Sequence, residues 1–232
     1  MKPLGGRAYG SIGHLPNSRM GEGDHHVHEG QARICTEKVR DRFDVVVVQE
    51  KLDGSCCSVA RTEDGALVPL SRAGYIANTS QYKQHQMFYD WVMKNINRFS
   101  FLNPGERCVG EWLVQSHSTR YELKHEPFVL FDIMVKNSRK TYMELMQRVI
   151  PFGFTTPNLI SYGNAMSTTD AMKRLKQSGH GAIDEVEGAV YRLERDGTVE
   201  FLAKFVRPNK KDGIYLPSQT GLAEVWNLYP AI

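Results

Sequence analysis

Four charged residues stand where apolar ones are expected. Lys51 closely follows the apolar run Val45-Val46-Val47-Val48, and Glu111 shares a strand face with Val109 and Leu113. Glu187 heads the buried-looking segment Gly188-Ala189-Val190, and Lys204 shares its face with Leu202 and Val206. A charge on an apolar strand face is costly unless it is paired or binds a ligand. Two lysines and two carboxylates converging on a sheet-lined cleft would suit a nucleoside triphosphate with its metal, because carboxylates hold Mg²⁺ and lysines neutralise phosphate oxygens. Each charge alone also fits an exposed strand end or a sheet edge. The sequence around each of them decides between the two.

The elements that must position these residues follow from hydrophobic period and turn chemistry. The β-branched run at 44–49 reads as a buried strand. Residues 55–61 and 66–70, joined by Glu63-Asp64-Gly65, read as a hairpin. Residues 107–114, 127–134, 186–193 and 198–206 read as further strands. Residues 80–98 read as a helix with Ser80 as N-cap, and 141–150 as a helix opened by a Thr141/Glu144 capping box. A third helix is expected at 167–177. Hairpins mixed with isolated helices predict an α+β fold of largely antiparallel sheets flanked by helices. One domain over 1–232 is expected, with an irregular arm at 1–33 and a short tail at 208–232.

Composition narrows the class without choosing a partner. The net charge of +3 neither demands nor excludes a nucleic acid. No apolar run approaches the ~20 residues of a membrane span, and the N-terminus lacks a secretory signal's apolar stretch. Cys35, Cys56, Cys57 and Cys108 have no C-x-x-C spacing and read as reduced thiols of a cytoplasmic protein. Asp24-His25-His26-Val27-His28-Glu29 is the densest group of possible metal ligands. Neighbouring loop residues rarely supply zinc geometry, so the segment reads as solvated, polynucleotide-facing or flexible. Arg207, Lys210 and Lys211 form a short basic stretch suited to a phosphate backbone or to a solvated tail.

The segment Glu50-Lys51-Leu52-Asp53-Gly54 resembles the K-x-D-G signature of the covalent nucleotidyltransferases, the superfamily of polynucleotide ligases and mRNA-capping enzymes. The superfamily's other elements follow in order. Ser71-Arg72-Ala73-Gly74 resembles the short element carrying an arginine, and Gly110-Glu111-Trp112 the strand with a ribose-side glutamate. Phe131-Asp132 resembles the element with a base-stacking aromatic. Glu187-Gly188-Ala189-Val190 matches E-G-x-V, and Lys204 matches a lysine of the last element. DNA ligases and capping enzymes usually carry an arginine two residues after the signature glycine, where this chain has Cys56. That position, the Glu50-Lys51 pair, and Tyr9-Gly10-Ser11-Ile12 with His14-Leu15-Pro16 resemble phage RNA ligases of the RNA ligase 2 type.

The resemblance implies an ATP-grasp-like nucleotidyltransferase domain with ligase activity. Lys51 would attack the α-phosphorus of ATP, release pyrophosphate and hold AMP covalently; AMP would pass to a 5′-phosphate and be displaced by a 3′-hydroxyl. The reaction needs the neutral amine of a residue whose free pKa is ~10.4, which burial and nearby cations such as Lys204 and Mg²⁺ (or Mn²⁺) favour. By the same resemblance Glu50 would recognise adenine, Phe131 stack on it, and Glu111 contact the ribose. Arg72 would hold the ribose or the 5′-phosphate end, and Glu187 the metal. Asp53 completes the signature, and Gly54 would let backbone approach the nucleotide. The expected partner is RNA, as single-stranded or nicked duplex ends, with no membrane role. DNA nick ligase, capping-type guanylyltransferase and a module that has lost catalysis are the alternatives. The last element departs from its usual two lysines separated by one residue, and no full accessory domain is expected after Arg207.

Overall fold

The computed structural model describes residues 2–229, so Met1 of the expected arm and the last three residues of the expected tail lie outside the described residues. It divides into two compact units. One comprises residues 1–10, 54–115 and 125–156, the other 11–53, 116–124 and 157–232. The boundary falls inside the K-x-D-G signature, between Asp53 and Gly54.

The unit containing Gly54 is built on an antiparallel sheet. Its strands lie in the order Leu67–Ser71, Ser55–Arg61, Glu106–Trp112, Phe128–Val135 and Ser138–Arg139. Helix Lys83–Lys94 packs Phe88 on Trp112 and Phe128, with ring centroids 5.4 and 5.2 Å apart. The expected Ser80 N-cap is not formed. The helix starts after Tyr82 without a side-chain cap, and Ser80 Oγ instead pairs with His85 Nδ1. Its far end passes into a 3₁₀ turn at Ile96–Phe101. Helix Tyr142–Val149 carries the expected Thr141/Glu144 capping box.

The unit containing Lys51 is built on a sheet in the order Gly13–His14, Thr198–Val206, Gly188–Arg195, Asp44–Lys51 and Leu159–Gly163. The first pair is parallel and the rest antiparallel. Strand Leu159–Gly163 escapes sequence reading because only Ile160 of its five residues is buried. The arm read as irregular supplies the edge strand Gly13–His14 and opens helix Glu29–Thr36, whose N-cap is His28.

Pairing register assigns the two faces of this sheet. Val46, Val48, Ala189, Tyr191, Leu193, Ala203 and Phe205 form one core with Ala32 and Cys35 of helix Glu29–Thr36 and Ala171 of helix Thr168–Arg174. Gln49 opposes Val190, which opposes Lys204, while Lys51 opposes Gly188. Directly paired residues share a face and alternate residues return to it. Lys51 and Lys204 therefore emerge together on the face turned away from that core.

Candidate active site

Three sequence-predicted residues, Lys51, Asp53 and Glu187, are joined through Lys210 in the Lys51 unit, and Lys204 lies on the same sheet face. Lys51 Nζ lies 2.5 Å from Glu187 Oε2. The other carboxylate oxygen of Glu187 accepts from Lys210 Nζ at 2.5 Å, and Lys210 also donates to Asp53 Oδ1 at 2.8 Å. Asp53 is locked in place: its Oδ2 accepts from Ser118 N at 2.7 Å, and its own N–H donates to Tyr121 Oη at 3.1 Å. Burial pushes the Asp53 carboxyl up, but Lys210 and Lys51 outweigh burial, so it sits below the ordinary carboxylate range. Burial opposes the charge on Lys210, yet Glu187 and Asp53 hold its pKa well above the usual lysine value. The carboxylates and ammoniums thus neutralise one another in a buried network.

Lys204 is held from the arm side. Its Nζ lies 3.5 Å from Asp24 Oδ1, while Asp24 Oδ2 lies 2.9 Å from His14 Nε2. His14 Nδ1 pairs with Ser18 Oγ at 2.7 Å, and Ser18 Oγ accepts from Val206 N at 2.9 Å. Burial and the neighbouring charge of Lys51 lower the pKa of Lys204, and Asp24 acts against both. Burial and then Lys204 lower His14. The acidic, histidine-rich segment is therefore more than a solvated loop: His25, His26 and His28 are exposed, but Asp24 reaches the site lysine and His28 caps a helix. Asp24→Asn is expected to cost ~1–3 kcal/mol at neutral pH, because a largely buried ammonium loses its counter-charge. The deficit should shrink as pH rises and Lys204 loses its proton. Urea unfolding at pH 7 and pH 10 measures both.

Glu50 does not join Lys51. Strand alternation turns it to the core face, beside Val48 and Ala189. There its oxygens accept from Ser178 Oγ at 2.5 Å and Gly179 N at 2.9 Å. Burial raises its carboxyl pKa, with those two donors opposing.

The remaining predicted residues lie in the other unit. Glu111 Oε1 accepts from Gly54 N at 3.1 Å. Gly54 has a packing reason to be glycine, since a Cβ there would come within 2.6 Å of the Trp112 carbonyl oxygen. Phe131 is the residue skipped where the register shifts between strands Glu106–Trp112 and Phe128–Val135. Such an irregularity re-aims a side chain. Phe131 meets Tyr9 edge-on at 5.4 Å. Arg72 Nη2 donates to Gly10 O at 3.2 Å, and its side chain is exposed.

Asp24, His14 and Lys210 join these clusters although sequence reading gives none of them a place beside Lys51 or Lys204. Lys210 was expected in a solvated or phosphate-contacting stretch, but only 5 % of its side chain is accessible. Pro208 and Asn209 conceal it, because they end strand periodicity and suggest a tail. Lys211 fits the tail reading and is exposed. Arg207, the other cation near Lys204, donates to Val186 O at 3.0 Å and pairs with Glu185.

No curated protein sequence matches the chain. Among solved structures, variants of Naegleria gruberi RNA ligase bound to ATP and Mn, and to AMP and Mn, align with TM-scores of 0.55 and 0.52. Each is 19 % identical, and the alignment covers 84 % of this chain and 59 % of theirs. An archaeal ATP-dependent RNA ligase aligns with a TM-score of 0.46 at 19 % identity, covering 70 % of this chain and 42 % of its own. The chain thus spans about half the length of these structures. At such identity the Naegleria likeness speaks for the fold alone, largely antiparallel sheets flanked by helices. The sequence model of the RNA ligase family matches residues 44–206. That match runs from the first residue of the strand bearing Lys51 to the last residue of the strand bearing Lys204. It contains every one of the ordered motifs, and the chain belongs to the RNA ligase family.

Proposed function

We propose that this chain is an ATP-dependent RNA ligase that takes up AMP covalently on Lys51 and joins 5′-phosphate to 3′-hydroxyl ends. The observation that carries the proposal is the cluster of Lys51, Glu187, Asp53 and Lys210, with Lys204 on the same sheet face. A lone surface lysine needs no such surroundings. Lys204, on the same sheet face as the Lys51 nucleophile, would supply positive charge where an α-phosphate and its leaving pyrophosphate carry negative charge.

Glu187 and Asp53 each present an oxygen to one shared cation position, filled here by the Lys210 ammonium. Oxygen donors of that kind suit Mg²⁺ or Mn²⁺, which bind through one or two carboxylates plus substrate phosphates. When bound, the ion would supply charge neutralisation at the phosphates. Glu187 would hold it through Oε1, the oxygen that Lys210 now occupies. Arg72, Glu111 and Phe131 are assigned to nucleotide binding on the resemblance alone, and both units are assigned to one nucleotidyltransferase domain. Glu50 keeps an adenine role only where nucleotide draws it away from Ser178 and Gly179.

The RNA substrate, as single-stranded or nicked ends, and a cytoplasmic location belong to the same proposal. No helix among the described residues is long and apolar enough to cross a membrane. Incubation with labelled ATP or GTP and Mg²⁺, followed by a denaturing gel, tests the reading. A covalent label from ATP is expected. A label from GTP alone would favour a guanylyltransferase, and no label from either would end both enzyme readings. Sealing assays on single-stranded RNA, nicked duplexes and DNA then separate the substrates.

A further inference from the structure

Lys210 is a buried cation of this cluster that neither the sequence motifs nor the proposed chemistry uses. Its Nζ sits between Glu187 Oε1 at 2.5 Å and Asp53 Oδ1 at 2.8 Å, with Asp212 Oδ1 at 3.6 Å on the exposed side. The side chains of Lys210, Asp53 and Glu187 are 5 %, 9 % and 7 % accessible. The other oxygens of the two buried carboxylates are also engaged, Asp53 Oδ2 by Ser118 N and Glu187 Oε2 by Lys51 Nζ. These two carboxylates are therefore balanced by two ammoniums, and Asp212 pairs with Arg19 as well. A hydrated divalent ion approaching this site meets no uncompensated negative charge.

We propose that Lys210 is a resident counterion occupying the divalent-cation position, so that the nucleotide-free protein takes up divalent metal poorly. Metal then enters together with a triphosphate, whose oxygens give the displaced ammonium a new partner. The proposal rests on Glu187 being the metal-binding carboxylate of the proposed function.

The physical argument is competition for the same two oxygens. A dication and an ammonium cannot both lie within hydrogen-bonding distance of Asp53 Oδ1 and Glu187 Oε1 without strong mutual repulsion. The alternative that geometry alone permits is a purely structural ion pair. That alternative predicts lost stability and no gain in metal binding when the charge is removed. Lys210 can leave its partners because its ammonium sits at the end of a flexible four-carbon stem. Its backbone is held by the turn in which Lys210 N donates to Arg207 O at 3.2 Å.

The test is a Mn²⁺ titration without nucleotide, followed by the electron paramagnetic resonance signal of free Mn²⁺, with circular dichroism confirming the fold of each variant. Lys210→Gln is expected to bind Mn²⁺ at least about tenfold more tightly than the native protein, because one positive charge has left two carboxylates. The gain should disappear when Glu187→Gln is added, and Lys210→Arg should bind as weakly as the native protein. A folded Lys210→Gln variant that binds Mn²⁺ no more tightly would overturn the proposal, as would a gain that survives Glu187→Gln. Where Lys210→Gln does not fold, the native protein carries the test. Acetylation of Lys210 by an amine-reactive reagent, read by peptide mass spectrometry, should rise several-fold at Mn²⁺ levels where the resonance signal reports more than half occupancy. Unchanged acetylation there overturns the proposal. None of these readouts uses AMP transfer, so a failure here and a failure of the ligase reading remain separate results.

Discussion

Lys51→Ala is expected to remain folded and to carry no covalent AMP after incubation with labelled ATP and Mg²⁺. Without the amine no phosphoramide bond can form, so the effect is complete rather than partial. The fold should survive because Glu187 keeps Lys210 at 2.5 Å as a counter-charge. The loss of one ion pair at a side chain 22 % accessible should cost about 1–2 kcal/mol. Lys51→Arg separates the two roles of this residue. Arginine keeps the positive charge next to Glu187 but is never neutral in a protein, so it cannot act as the nucleophile. It too should show no label while restoring most of the lost stability. The denaturing gel reads the first effect and urea unfolding the second. A label that persists in both variants would mean that another residue is the nucleophile.

Gly188→Ala is expected to lose at least ~3 kcal/mol of stability, through overpacking against a backbone that cannot move aside. A Cβ at Gly188 would lie 1.8 Å from the Phe205 carbonyl oxygen, 2.9 Å from its carbon and 3.1 Å from Val206 Cα. All three atoms belong to the backbone of the neighbouring strand, in which Gly188 pairs with Val206. Gly188 also pairs with Lys51 on its other side. Separating these strands therefore disturbs the spacing between Lys51, Lys204 and the adjoining Glu187 all at once. For a chain of this size the loss corresponds to a melting temperature lower by roughly 6–12 °C. Adenylylation should fall with it even at temperatures where the variant remains folded. Thermal unfolding together with the gel assay measures both effects, and a melting temperature unchanged within about 2 °C would remove this account of the glycine.

These two residues show how differently the parts of the site are written in the chain. Lys51 is legible because its chemistry resides in its own side chain and its motif is contiguous. Gly188 is legible only as a letter of E-G-x-V. Its reason, a strand lying too close for any Cβ, belongs to a pairing with residues near 205. Gly54 is similar: the signature suggests an approach to nucleotide, while packing supplies the Trp112 carbonyl as the contact.

Local sequence determined what local physics controls. The β-branched run at 44–49, the turn at 63–65, the Thr141/Glu144 box and the period-two charges at 111, 187 and 204 depend on neighbours within a few residues, and they placed most of the strands and the motif order. Tertiary structure alone decided which face each charge takes and what it meets. Glu50 lies on Lys51's strand but points to the opposite side, because adjacent residues of a strand alternate. Lys210 and Asp24 reach the site from segments that look like a tail and a loop, because a buried charge is specified by distant partners rather than by the period of its own segment. Lys51 pairs with Glu187 across 136 positions and Lys204 with Asp24 across 180. Nothing in the residues flanking either pair encodes a separation of that length; the register of the sheet does.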